Sequence, residues 1–162
     1  MNDPERLGRD LALGFTANEE GITVAGPASQ VDLQAVLHGR TFPRVTDLAT
    51  VSGRANLVQS LIVRLETERG ELAALGHPAY GSRHHQLIGE PNTESNRNLV
   101  KLYILECLKQ EPRIESVQQI DVKPGAGREN RDKVVVTIAV SVRGEPDALN
   151  LVVPFSFAGP LE

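Results

Sequence analysis

The chain has 162 residues, a formal net charge of −4 at pH 7, 40% hydrophobic content and 4% aromatic content. Those values fit one globular domain with a real core and argue against a general nucleic-acid binder. They also argue against aromatic-rich sugar or base platforms. No apolar run approaches the ~18–20 residues of a membrane span. Met1–Arg6 lacks a basic stretch followed by an apolar one, so no signal peptide is expected. A single cysteine, Cys107, excludes an internal disulfide and fits a reducing compartment.

Residues 1–52 read as an arm of short elements, rich in Gly and Pro, laid on the body. Leu7–Leu11 opens it. Gly21–Pro27 reads as a short strand between turn residues. Ser29 is placed as N-cap of a short helix over Val31–Leu37, closed by Gly39. Phe42–Val45 and Asp47–Val51 read as extended or looping. Beyond Ser52, Leu57, Val58, Leu61, Ile62 and Leu65 fall on one helical face, with Gly70 as the expected C-cap. Glu71–Ser82 reads as an ordered surface loop anchored by Tyr80.

Pro91–Ser95 offers N-caps for a second helix over about Ser95–Gln110. Its apolar stripe is Leu99, Leu102, Tyr103, Leu105, Cys107 and Leu108. Pro112 lacks an N–H and disfavours helix before it, so the helix should stop near Glu111. Three strands follow: Arg113–Lys123, with a bulge expected from its broken phase, then Lys133–Arg143 and residues 148–157, joined by tight turns. The predicted fold is α+β: two main helices packed on an antiparallel sheet of three or more strands, ending in a C-terminal β-hairpin. Residues 53–162 form the body of a single domain.

The chemistry-bearing residues are sparse. Among His77, His84 and His85, the adjacent pair should point to opposite sides and no Cys or carboxylate completes a ligand set at usual spacing, so no metal or cofactor is expected. Cys107 reads as a small buried hydrophobe. Glu68, Glu71, Glu90 and Glu94 could be imagined as a glycosidase pair. That chemistry needs two carboxylates about 5–10 Å apart across a cleft, one with a raised pKa, and the sequence shows no cleft. Pro124–Gly127 lies between strands and lacks the helix of a phosphate loop. No catalytic residue is assigned. Arg113, at the helix–strand corner, has two readings: a salt bridge to Glu111 or Glu115, or a charged anchor for a partner.

Several short motifs recur in an order that resembles the gene 25-like baseplate wedge family of contractile phage tails, type VI secretion and extracellular phage-tail-like injection particles. They are Leu7–Leu11, Val51–Leu61, the Leu-x-Thr-x-x-Gly-Glu stretch Leu65–Leu72, the Pro-x-Tyr-Gly loop Pro78–Ser82, and Glu111-Pro112-Arg113-Ile114. The likeness covers about residues 50–142, with a lesser part over 5–15. Gly70, Glu71, Pro78, Tyr80 and Gly81 carry its signature.

The resemblance implies a non-enzymatic structural protein, made in the bacterial cytoplasm and built in several copies into a baseplate ring. Its implied partners are baseplate wedge proteins, contractile sheath subunits and inner tube or hub proteins, with no nucleic acid and no membrane. It assigns Glu111, Pro112 and Arg113 to the wedge interface. It assigns strands bearing Val134, Val136, Ile138, Leu149, Leu151 and Val153 to the sheath, joined by strand addition at an exposed hairpin edge. The family has also carried a lysozyme label, so a glycan (peptidoglycan) hydrolase is the alternative, with a small binding module in another complex as a third. Residues 16–50 are longer than a minimal member needs, which favours the injection-particle branch.

Overall fold

The computed structural model describes residues 7–13, 16–18, 21–23, 33, 35–38 and 44–159. Among these residues the arm contributes six short strands: β1 (Arg9–Leu11), β2 (Thr16–Asn18), β3 (Gly21–Thr23), β4 (Ala35–His38), β5 (Arg44–Leu48) and β6 (Thr50–Ser52). The body follows with α1 (Gly53–Glu66), α2 (Glu94–Leu108), β7 (Ile114–Pro124), β8 (Lys133–Val142) and β9 (Leu149–Ser156). This is the expected α+β class, with a C-terminal meander β7–β8–β9 that is antiparallel throughout.

The body forms as its periodicities dictate. On α1, Leu57, Val58, Leu61, Ile62 and Leu65 are all buried, as the helical spacing requires. On β8, Val134, Val136, Ile138, Val140 and Val142 face inward, while Val135 and Thr137 face out. Leu149, Leu151, Val153 and Phe155 do the same on β9. The core lies between the two helices and this inner sheet face. The bulge expected in β7 is present as register shifts at Ile114/Ser116 and Val117/Gln119.

Thr93 caps α2, its Oγ1 accepting from Asn96 N at 3.2 Å. The helix ends at Leu108, three residues before Glu111, and Glu111 N donates to Leu108 O at 3.1 Å to tighten the exit. Leu102, expected in the apolar stripe, is 46% exposed. At 3.6 residues per turn it lies about 200° round the helix from both Val100 and Ile104, which are buried.

Three expectations need correction. The helix over Val31–Leu37 is not formed where it is described. Ala35–His38 is a strand, paired antiparallel with β5 from Ala35↔Leu48 to His38↔Arg44, so pairing with a neighbour overrides the local capping signal. Ser29, Val31 and Gly39 lie outside the described residues. Gly70 does not cap α1; Thr67 does, and Gly70 sits in the following turn with φ +100°. Finally, the C-terminal hairpin does not present a bare edge. The sheet order is β2-β3-β9-β8-β7, so β8 is interior and β9 carries β3 as a parallel neighbour. Of the strand proposed over Gly21–Pro27, Gly21–Thr23 is extended and the rest lies outside the described residues.

Candidate functional site: the helix–strand corner and the sheet edge

The corner between α2 and β7 is folded around an inward carboxylate. Glu111 N donates back to Leu108 O, and Ile114 N donates to Glu111 O, which turns the chain and drives the Glu111 side chain into the body at 4% exposure. Arg113 grips it at two points, Nε to Oε1 at 2.6 Å and Nη2 to Oε2 at 3.1 Å. Arg113 Nη1 donates to Leu7 O at 3.0 Å, in the arm. Of the two candidate ion-pair partners, Glu111 is the one engaged; Glu115 is exposed. Pro112 points to solvent. Burial alone would raise the Glu111 carboxyl. Arg113's hydrogen bonds and charge, with Arg64 behind them, outweigh it and hold the pKa below the ordinary carboxylate value.

Arg64 joins this corner to the signature loop. Its Nη2 lies 3.6 Å from Glu111 Oε2, and its guanidinium sits 4.5 Å from the centroid of the Tyr80 ring. The loop closes on itself below that contact: Ser82 N donates to Thr67 O at 2.9 Å and Arg69 N to Ser82 O at 3.1 Å. Gly81 is required there. Its φ is +94°, and a Cβ would come within 2.6 Å of Thr67 O. Glu71 accepts from Glu68 N at 3.2 Å, turning the chain after Gly70, while Pro78 is exposed at the loop surface. The structure thus brings together Tyr80, Gly81, Glu111 and Arg113, which are distant in sequence. Gly70, Glu71 and Pro78 shape the same loop from outside the contact.

Arg64 was not singled out from sequence. The signal was its position three residues after Leu61, which sets it beside the buried face of α1. Asn56 and Gln59 were missed for the same reason. They lie buried on the apolar face of α1 and read the arm's backbone: Asn56 Nδ2 donates to Leu7 O at 3.0 Å, Gln59 Nε2 to Leu11 O at 2.7 Å, and Leu13 N to Gln59 Oε1 at 2.8 Å. Leu7 O therefore receives both Asn56 and Arg113.

The histidines are structural in their contacts. His84 is 3% exposed, hydrogen-bonded through Nδ1 to Ser82 Oγ at 2.8 Å, and packed edge-on to Phe155. His85 Nε2 donates to Leu65 O at 2.8 Å. His77 is exposed in the loop. Among the described residues no three or more His, Cys, Asp or Glu side chains gather to hold a metal.

The carboxylates weighed for glycan chemistry, Glu68, Glu71, Glu90 and Glu94, are all exposed. A shallow depression of about 310 Å³ is lined by Glu94 and Asp121 together with Arg97, Asn98 and Lys101. Burial raises the carboxyl of Glu66, with the His85 charge opposing, but Glu66 does not line that depression. The raised acid Glu66 and this carboxylate-lined hollow therefore do not coincide.

The strands assigned to the sheath have their named side chains inside. Val134, Val136, Ile138, Leu149, Leu151 and Val153 are each at most 4% exposed, facing the helices. What these strands could offer a partner is backbone along the β9 edge. That edge is occupied by β3, with one registered pair among the described residues, Ile22↔Leu151, against eight between β8 and β9 from Lys133↔Ser156 to Val140↔Leu149.

Residues 51–147 match the family described as "Baseplate wedge protein gp25". The chain belongs to that family. Baseplate wedge gp25 proteins are structural components of baseplates, so this chain has a structural baseplate role in a phage-tail-like particle and assembles with other baseplate proteins there. Among solved structures, one similar fold is a Geobacter sulfurreducens protein provisionally named a tail lysozyme. It is 25% identical, with a TM-score of 0.53 over 63% of this chain and 88% of that one. No curated protein matches. No helix among the described residues of this baseplate wedge protein is long and apolar enough to cross a membrane.

Proposed function

We propose that this chain joins the wedge to the contractile sheath and templates the first sheath ring by strand addition to its C-terminal sheet. The observation that supports this is the β9 edge. A full antiparallel meander ends on a strand whose outer side, among the described residues, carries a three-residue parallel neighbour with one registered pair. An eight-residue strand so lightly covered can accept a longer one. The wedge contact would use the start of β7, the opposite edge strand of the meander, at Glu111, Pro112 and Arg113. There Pro112 is exposed, and the Arg113 side chain keeps 24% exposure after binding Glu111. In this reading residues 53–162 are the baseplate domain and 1–52 an arm packed on it. The protein is made in the bacterial cytoplasm, sits in several copies in a ring next to inner tube or hub proteins, and has no enzymatic role.

The test is a host strain lacking this gene, imaged by electron microscopy and complemented with the wild-type copy. Wedge-bearing baseplates without ordered sheath are expected, with sheath restored on complementation. Particles sheathed normally in the absence of the chain would overturn the proposal. Peptidoglycan turnover by the purified protein, lost in Glu71→Gln, would instead favour the hydrolase that the Geobacter protein's name suggests.

A further inference from the structure

We propose that the β2–β3 hairpin is a removable cover that holds the β9 edge closed until a sheath strand takes its place. The inference rests on the reading of β9 as the sheath's edge and adds how that edge is kept safe before assembly. An open strand edge is a template for unwanted pairing, and proteins that need one must protect it until use. Here the protection is supplied from within the chain. Thr16–Asn18 and Gly21–Thr23 pair antiparallel, and the second of these strands lies parallel to β9.

The pairing strengths decide which contact gives way. Among the described residues, β8 holds β9 by eight registered antiparallel pairs and a shared core, whereas β3 holds it by one, Ile22↔Leu151. Parallel pairs are also slightly less stable per residue than antiparallel ones. An incoming strand of about five or six residues, the usual length, would pair along more of Leu149–Ser156 than β3 can. Exchange therefore gains backbone hydrogen bonds and leaves the β7–β8–β9 core untouched. The hairpin also shows what the edge takes: a short extended segment seated beside Leu151. The occupant assigned here is such a segment from a sheath subunit.

Two variants of the full chain test this. Ile22→Pro should unseat β3, and sedimentation should then show self-association at least tenfold tighter than wild type. A variant as monomeric as wild type would overturn the cover. The second is the pair Thr23→Cys with Val152→Cys, one residue along the same backbone register, where Val152 is half-buried. Cys107 is buried and should stay out of the exchange. Bound to purified wedge baseplates, the oxidised pair should recruit no sheath subunits and the reduced pair should recruit them normally. Equal recruitment by both forms would overturn the exchange. If wild-type chain on those baseplates also failed to recruit sheath, the sheath-joining role itself would fall instead.

Discussion

Arg113 Nε lies 2.6 Å from Glu111 Oε1 and Arg113 Nη2 lies 3.1 Å from Glu111 Oε2, a two-point grip between residues on either side of Pro112. The grip faces inward. It consumes the Glu111 carboxylate, which is 4% exposed, and ties the corner to the arm through Leu7 O. A wedge protein docking here would meet Pro112 and the outer rim of a guanidinium whose direction is already fixed, which lowers the cost of ordering it on binding.

Glu111→Gln should destabilise the fold by about 2–3 kcal/mol at pH 7, since it strips a charge partner from Arg113 and Arg64 in a mostly buried place. The pH dependence has a definite sign. The folded pKa of Glu111 is lowered, so the stabilisation is complete above the unfolded carboxylate value, near about 4.3, and is lost as pH falls through the folded one. Thermal melts of wild type and Glu111→Gln should therefore draw together progressively as pH falls below the unfolded carboxylate value. A gap that stays constant down to pH 2.5 would mean that the carboxylate charge is not what holds the corner.

The two signature glycines should separate cleanly. Gly81→Ala combines a φ of +94° with a Cβ 2.6 Å from Thr67 O, a backbone atom that cannot swing away. It should cost about 3 kcal/mol or more and loosen the amides of Arg69 and Ser82. Gly70→Ala has a φ of +100° but nothing within 4 Å of the new methyl, so only the conformational penalty of about 1–2 kcal/mol applies. Denaturant midpoints and hydrogen exchange of the two variants measure both effects. Equal losses would show that the close approach at Gly81 is relieved by a loop shift.

Much of the body was legible because one face of each element is buried. The α1 stripe from Leu57 to Leu65 and the alternation of β8 and β9 each specify one orientation. The arm was not legible, because strands of three to five residues carry too few residues for a period, and Ala35–His38 takes its form from Arg44–Leu48. Polar side chains on a buried face were the second blind spot. Asn56, Gln59 and Arg64 each satisfy a partner more than fifteen residues away, which spacing along one helix does not reveal. The corner motif was found as a stretch, but the inward direction of its arginine depends on Arg64, Leu7 and Glu111 converging.

Cys107 should be inert in the folded chain. Burial pushes its thiol up to about 11, against the opposing pull of the Arg64 and Arg69 charges and a hydrogen bond with Ser82. Since the thiolate is the reactive form, labelling by a disulfide reagent at pH 8 should be about 100-fold or more slower than in denaturant. Rapid stoichiometric labelling of the native protein would contradict a closed core at the end of α2.

His84 should make the fold acid-sensitive well above the carboxylate range. It is 3% exposed, packed against Phe155 and beside His85, with ring centroids 4.2 Å apart. Burial, and then the charge of His85, lower its pKa to about 3. The unfolded chain takes up this proton near pH 6.5 and the folded chain does not. The lowered folded value means that His84 contributes its stability in full above about 6.5 and loses it as pH falls toward 3. Between pH 7 and pH 5 the loss should be about 2 kcal/mol, approaching one proton taken up on unfolding. Urea denaturation across that interval measures it. In His84→Gln, which keeps a polar group for Ser82 but does not titrate, this part of the slope should disappear. A slope unchanged by the substitution would place the acid sensitivity elsewhere in the chain.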